Sequence, residues 1–316
     1  MKIEEKELKL RNMAGMRNSF GVFLSKLAET NPKIFAITAD FTKSSGLDSF
    51  TKNFPERFLS SGIAEQNSIS LAAGLASEGY NVFVSSFASF LTSRCYEQIR
   101  VNLGYMRHNV KLVGIASGLG VAFQGNTHYG LDDVSLMRTI PNMTVIVPSD
   151  IQELANAVEQ LSTFDGPAYL RIVGEGFAPI VNSTDYFFSI GKGVKLTDGS
   201  DILIITNGTM ASQALKVSEL LPNVCVINMH TVKPLDTEII NDNLIGKKIV
   251  VTIEEGFLNG GLGSAVADFI SLHDERPKLL RLGINDFFPK PGSYPYLLQQ
   301  CGLSVDQIVE TIKNNI

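Results

Sequence analysis

Short apolar runs alternate with stretches of helical spacing along most of the chain. The runs IFAIT (34–38), NVFVSS (81–86), VKLVGIA (110–116), MTVIVPS (143–149) and AYLRIV (168–173) predict strands. Segments 19–29, 67–78, 89–103 and 151–161 between them predict amphipathic helices. In the last of these Leu154, Ala155, Val158 and Leu161 recur at helical spacing, and Ser149-Asp150 stands where an N-cap belongs. The stretch 174–193 is rich in Gly, Ser and aromatic residues without a period, and reads as a linker. A second series follows, with strands expected at 201–208, 224–230, 247–255 and 279–284 and helices at 209–221 and 263–272. This alternation is the pattern of βαβ units. The expected fold is α/β, with two domains (1–180 and 181–316), each a mostly parallel sheet with helices on both faces.

Composition narrows the function. A chain of 316 residues buries enough surface to need no metal or disulfide staple. With 27 Lys+Arg against 32 Asp+Glu, the net charge of −5 argues against nucleic-acid binding, which needs a basic stripe. The charged opening MKIEEKELKLRN does not read as a signal peptide, and no run approaches the ~20 apolar residues of a membrane span. Three dispersed cysteines read as reduced thiols in a cytoplasmic protein. The four histidines are scattered and no CxxC occurs, so no metal site is expected in the chain itself.

Three segments carry candidate chemistry. In SSGIAEQNSISLAAGLASEG (60–79) Glu65 stands at a helix start. A glutamate there ordinarily complements the helix dipole. Its apolar and small neighbours, however, suggest a poorly solvated carboxyl able to hold a proton for a ligand nitrogen. In VSSFASFLTSRCYEQIR (84–100) Phe87 and Phe90 lie one helical step apart. They serve either as core or as an aromatic shelf for a flat heterocycle. In the third segment, 114–150, a Gly-rich loop leads to His128 and then to a helix with Asp132, Asp133 and Arg138. Its glycines do not fit a dinucleotide fingerprint, and no Walker sequence is present.

Taken together, IAEQN followed by AAGLA, the F-x-x-F segment leading into R-x-Y-E-Q-I-R, and THYGLDDVSLMRTIPNMTVIVPSD resemble the transketolase family. VINMHTVKPLD (226–236) and IEEGFLNGGLGSAVAD (253–268) resemble that family's C-terminal domain. More narrowly, the chain is similar to the C-terminal subunit of a split transketolase. The resemblance implies thiamine diphosphate, bound where a pyrimidine-binding domain meets a diphosphate-binding domain, with Mg²⁺ in a G-D-G…N site. No GDG occurs; Thr197-Asp198-Gly199 is the nearest string and reads as a turn. The implied partner is therefore an N-terminal transketolase-like subunit carrying GDG…N and Mg²⁺, in an α2β2 heterotetramer.

The resemblance also implies roles. Glu65 matches the glutamate that protonates the aminopyrimidine, and Phe87 and Phe90 match its aromatic pocket. Asp40 and Phe41 match positions beside the thiazolium, and His128 a substrate-contacting histidine. Arg17 and Ser44 match sugar-phosphate contacts. Three positions depart from the family pattern: Ala116 and Gln124 stand where the loop has His and Asp, and Gly174 replaces a phosphate-clamping Arg. Gln124, a neutral amide, suits a hydroxyl or amide. The implied activity is transfer of a two-carbon ketol, or related acyl, unit between small sugar or keto substrates, with a substrate that is unphosphorylated or anchored differently. The beta subunit of a 2-oxo acid dehydrogenase is the alternative; a non-catalytic regulatory relic and a plain α/β binding module explain fewer of these motifs.

Overall fold

The computed structural model describes residues 3–174, 181, 187–274 and 276–316. The first sheet is built from β1 (Ile34–Thr38), β2 (Phe58–Ser60), β3 (Asn81–Phe87), β4 (Val110–Ser117), β5 (Thr144–Ile146) and β6 (Ala168–Val173). The second contains β7 (Val194–Thr197), β8 (Ile202–Thr206) and β9 (Val224–Asn228), then β11 (Ile249–Phe257) and β12 (Lys278–Ile284). The strand between them in sequence, β10 (Thr231–Lys233), leaves its neighbours and joins the first sheet. The orders are β10-β5-β6-β4-β3-β1-β2 and β12-β11-β8-β9-β7. Only β10 and β7 run antiparallel to their neighbours, β5 and β9. The two-domain α/β architecture is as expected. The anticipated boundary at 180/181 and most of the linker at 174–193 lie outside the described residues.

Parallel strands covered on both faces need apolar side chains in both directions, which is why these strands are continuous apolar runs. One face of the first sheet is covered by helices Glu5–Ala28 and Ile151–Leu161, with Phe20, Phe23, Leu24, Leu154 and Val158 in the buried cluster. On the other face, Ile69, Leu91, Ile99 and Met137 share a core with Ile37, Val84 and Leu112, and this core continues into Leu203, Ile227 and Val250 of the second sheet. A third core joins the second sheet to Leu119, Val121, Tyr129 and Leu131. The Gly-rich loop is thereby packed into the second domain.

Several elements differ from the sequence expectation. The first helix starts at Glu5, and Gly15 (φ 80°) interrupts it before Arg17. Segment 89–103 is not one regular helix: π-helical turns Phe90–Arg94 and Ile99–Tyr105 flank a short α-helical piece, Tyr96–Gln98. Helices Tyr294–Gln300 and Val305–Lys313 close the chain. Asp198-Gly199 falls in the turn between β7 and β8. Among the described residues no helix is long and apolar enough to cross a membrane.

Candidate functional site

The carboxyl ends of the parallel strands converge on one edge of the first sheet, where open α/β sheets bind ligands. Asp40 and Phe41 follow β1, Glu65 follows β2, Phe90 follows β3 and the Gly-rich loop follows β4. The chain winds from β1 outward to β2 and then back across to β3, so the switch point lies between β1 and β3. Phe41 and Phe87 meet there, edge to face, at 5.0 Å between ring centroids.

The aromatic group extends further. Phe87 and Phe90 lie 5.7 Å apart, and the His128 imidazole packs 5.8 Å from Phe87 and 5.3 Å from Phe90. The shared helical face expected for the two phenylalanines is not what joins them. Phe87 is the last residue of β3 and Phe90 the first of a π-helical turn, and the bend between them brings the rings together. His128 is set by its neighbours: its Nδ1 lies 2.9 Å from the Thr127 hydroxyl, and its carbonyl accepts the Ser89 hydroxyl at 3.3 Å.

Glu65 opens helix Glu65–Ser77 and is 2% exposed. Its Oε2 accepts Arg94 Nη1 at 2.8 Å, while its Oε1 is buried without a hydrogen-bond partner. A buried oxygen left without a donor is costly, and such groups mark places where a ligand completes the bonding. Arg94 also lies over the Phe90 ring, its Cζ 4.6 Å from the centroid. Cys95, next in sequence, is fully buried; burial, with the Glu65 carboxylate nearby, pushes its thiol up to about 12. It is a packed, inert side chain. A cleft of about 670 Å³ opens beside this group, lined by Phe90, Arg94, Thr127 and Asp132 together with Phe257 and Phe288.

The remaining expected residues are less closely gathered. Asp40 is exposed, with φ 63°, beside Phe41. Ser44 is half-buried on the same loop, two residues before Gly46, whose backbone rests on that of Arg17. Arg17 and Ser44 thus flank one helix–loop contact. Gln124 is exposed at the end of the turn Ala122–Gln124, beside Phe123, which is 76% exposed. Ala116, which stands where the resemblance implies a His, is fully buried with φ 57°. Gly174 is pressed against Gly120: a Cβ on Gly174 would stand 2.6 Å from the Gly120 carbonyl carbon.

Sequence reasoning gave Arg94 and Glu255 no role. Arg94 had one signal, its position four residues after Phe90. Glu255 is buried at the end of an apolar strand and accepts hydrogen bonds from Leu119 N at 2.6 Å, from the Thr209 hydroxyl at 2.6 Å and from the Tyr294 hydroxyl. Among the described residues no group of three or more His, Cys, Asp or Glu is placed to hold a metal ion.

Comparison with known proteins identifies the family of the two domains. Residues 12–173 match the transketolase pyrimidine binding domain, and residues 191–308 match the transketolase C-terminal domain. The chain is 36% identical over 298 residues to the 6-deoxy-6-sulfo-D-fructose transketolase subunit SqwH of Clostridium sp., covering 93% of this chain and 92% of that one. It is 33% identical over 305 residues to a subunit of the apulose-4-phosphate transketolase of Phocaeicola vulgatus, covering 95% and 97%. A split gene transketolase solved as an inactive beta4 tetramer superposes with a TM-score of 0.86 at 36% identity, covering 95% and 97%. The chain belongs to the transketolase family and carries that family's pyrimidine-binding and C-terminal domains.

Proposed function

We propose that this chain is the C-terminal subunit of a two-chain, thiamine-diphosphate-dependent transketolase that moves a two-carbon ketol unit between sugar or keto substrates. Residues 1–180 form its pyrimidine-binding domain and 181–316 its C-terminal domain. The observation that carries the reading is the Glu65 carboxylate, buried, with Oε1 unpaired, and linked through Arg94 to Phe90, whose ring packs near Phe87 at the switch point of the sheet. That donor-starved oxygen and those rings fit an aminopyrimidine: a flat heterocycle with nitrogen atoms at its edge. Glu65 holds or moves a proton at the ring nitrogen, while Phe87 and Phe90 pack the ring and keep water away. Asp40 and Phe41 lie beside the thiazolium end. Bound thiamine diphosphate supplies the electron sink for breaking and making the carbon–carbon bond.

A separate N-terminal subunit holds the diphosphate and Mg²⁺, and two copies of each chain assemble as an α2β2 heterotetramer in the cytoplasm. The separate-subunit reading is supported by relatives that are themselves named as subunits and match this chain nearly end to end. His128 and Gln124 reach the reacting end of the substrate, and Arg17 and Ser44 hold an anionic or hydroxyl-bearing tail. The buried Ala116 and the closely packed Gly174 offer no polar group to a phosphate. The substrate is therefore unphosphorylated or anchored differently from an ordinary sugar phosphate. A relative named for a sulfo-sugar fits such a rebuilt substrate end. The test is a ketol-transfer assay of the reconstituted two-chain enzyme with xylulose 5-phosphate plus ribose 5-phosphate, alongside unphosphorylated and sulfonated ketoses. Faster turnover of the latter group supports the reading; ordinary turnover of the phosphates at micromolar Michaelis constants refutes the substrate assignment.

A further inference from the structure

We propose that Arg94 is a positioning residue for Glu65: it occupies one carboxylate oxygen and thereby fixes the direction in which the other faces the ligand. The inference rests on the cofactor role proposed for Glu65. The two Glu65 oxygens differ. Oε2 takes the Arg94 guanidinium at 2.8 Å, and Oε1 is buried and unpaired. A carboxylate gripped at one oxygen by a planar donor cannot turn freely about its terminal bond, so the unpaired oxygen keeps one orientation.

Arg94 is itself held from two other directions. Its guanidinium packs on the Phe90 ring with Cζ at 4.6 Å, and its carbonyl accepts Gln66 Nε2 at 3.1 Å. Gln66 follows Glu65 in the first turn of the same helix, so backbone and side chain of Arg94 both tie to that turn. The π-helical turn Phe90–Arg94 makes this geometry. Phe90 and Arg94 are four residues apart, a spacing at which side chains on one helical turn meet, and π-helical turns recur at functional sites. The aromatic shelf and the carboxylate are thus aligned by one side chain.

Arg94 is 48% exposed but its partner Glu65 is 2% exposed, so removing Arg94 leaves a buried carboxylate unpaired and costs stability as well as orientation. It also lines the 670 Å³ cleft, where it has a rival role as a direct contact for substrate or partner. The variants Arg94→Gln, Arg94→Lys, Glu65→Gln and the double variant Arg94→Gln/Glu65→Gln separate these roles. Each is assayed in the two-chain enzyme for kcat and KM, for thiamine diphosphate affinity by calorimetry, and for thermal midpoint.

The expected result for Arg94→Gln is a kcat lower by about tenfold or more, weaker cofactor binding and an unchanged KM for the sugar, with a midpoint lowered because the buried Glu65 carboxylate loses its donor. Arg94→Lys recovers part of the loss. In the Glu65→Gln background, Arg94→Gln costs less than about twofold more, because the group it positions is gone. Additive losses, a rise in KM alone or an unaffected kcat each overturn the inference. A wild-type two-chain enzyme that neither binds the cofactor nor transfers ketol removes the proposed function, and this inference with it. A working wild type with additive variants removes this inference alone.

Discussion

Glu255 of the second domain accepts the backbone N–H of Leu119 in the first at 2.6 Å. The same carboxylate takes the Thr209 and Tyr294 hydroxyls. At the far end of the loop, Arg171 pairs with Asp133 at 2.8 Å and donates to the carbonyls of Gly130 and Glu255, each at 2.9 Å. The loop that carries Gln124 and His128 is therefore anchored at both ends, by one group from each domain. Glu255→Ala leaves several buried donors without acceptors, and a loss of about 2–4 kcal/mol is expected. Thermal denaturation, with limited proteolysis of segment 118–130, checks this; a wild-type midpoint contradicts it.

Replacing Glu65 by Gln keeps shape and removes the acid. Ketol transfer by the two-chain enzyme is expected to fall by about 10²–10⁴-fold, the usual contribution of a general acid or base. The fold is expected to persist, since the Gln carbonyl can still accept from Arg94 and the amide replaces an oxygen that already lacks a partner. Circular dichroism and the transfer assay read the two effects separately. A helix-cap role for Glu65 predicts the reverse: lost stability and retained turnover.

Much of the fold is legible in the sequence where burial is local and periodic. β1 and β6 fall where the apolar runs put them. Helix Ile151–Leu161 starts where the cap residue stands, with Asp150 accepting Glu153 N–H at 2.8 Å. β2 is only three residues, too short to show a period, and β10 pairs with a strand some 85 positions earlier, which no local pattern encodes. The π-helical turns around Phe90 are invisible for the same reason: their apolar spacing passes for that of an α-helix. Glu65, Phe87, Phe90 and His128 stand out because polar or aromatic groups interrupt small-residue and Gly-rich surroundings. Arg94 and Glu255 do not, because their partners are brought to them only by the fold.

Gly174, where the sequence resemblance implies a phosphate-clamping arginine, has no room for a side chain. Its Cβ would approach the Gly120 carbonyl carbon to 2.6 Å and the oxygen to 2.8 Å. Gly174→Arg is expected to destabilise the protein by about 1–3 kcal/mol and not to improve binding of sugar phosphates. Thermal melts and Michaelis constants for phosphorylated sugars check both halves; a stable variant with a lower KM would show that the two backbones part readily.

Lys111 is buried in β4, donating to Gly166 O at 2.7 Å and to the Asn109 side chain. Burial lowers its amine from 10.5 to about 7. Between these values the unfolded chain holds a proton that the folded chain has released, so folding stability rises with pH across that window. Relative to Lys111→Met, the wild type is expected to gain up to about 1.4 kcal/mol per pH unit between about pH 7 and 9. Denaturant titrations of both proteins at several pH values measure the difference; parallel curves contradict it.

The central claim is that this chain holds the pyrimidine end of thiamine diphosphate and needs a second subunit for the rest. Calorimetric titration with thiamine diphosphate and Mg²⁺ tests it most directly, first on the isolated chain and then on the chain mixed with its N-terminal-type partner. No micromolar binding is expected for the chain alone, and micromolar, Mg²⁺-dependent binding once the two are combined. Tight, Mg²⁺-dependent binding by the isolated chain would contradict it.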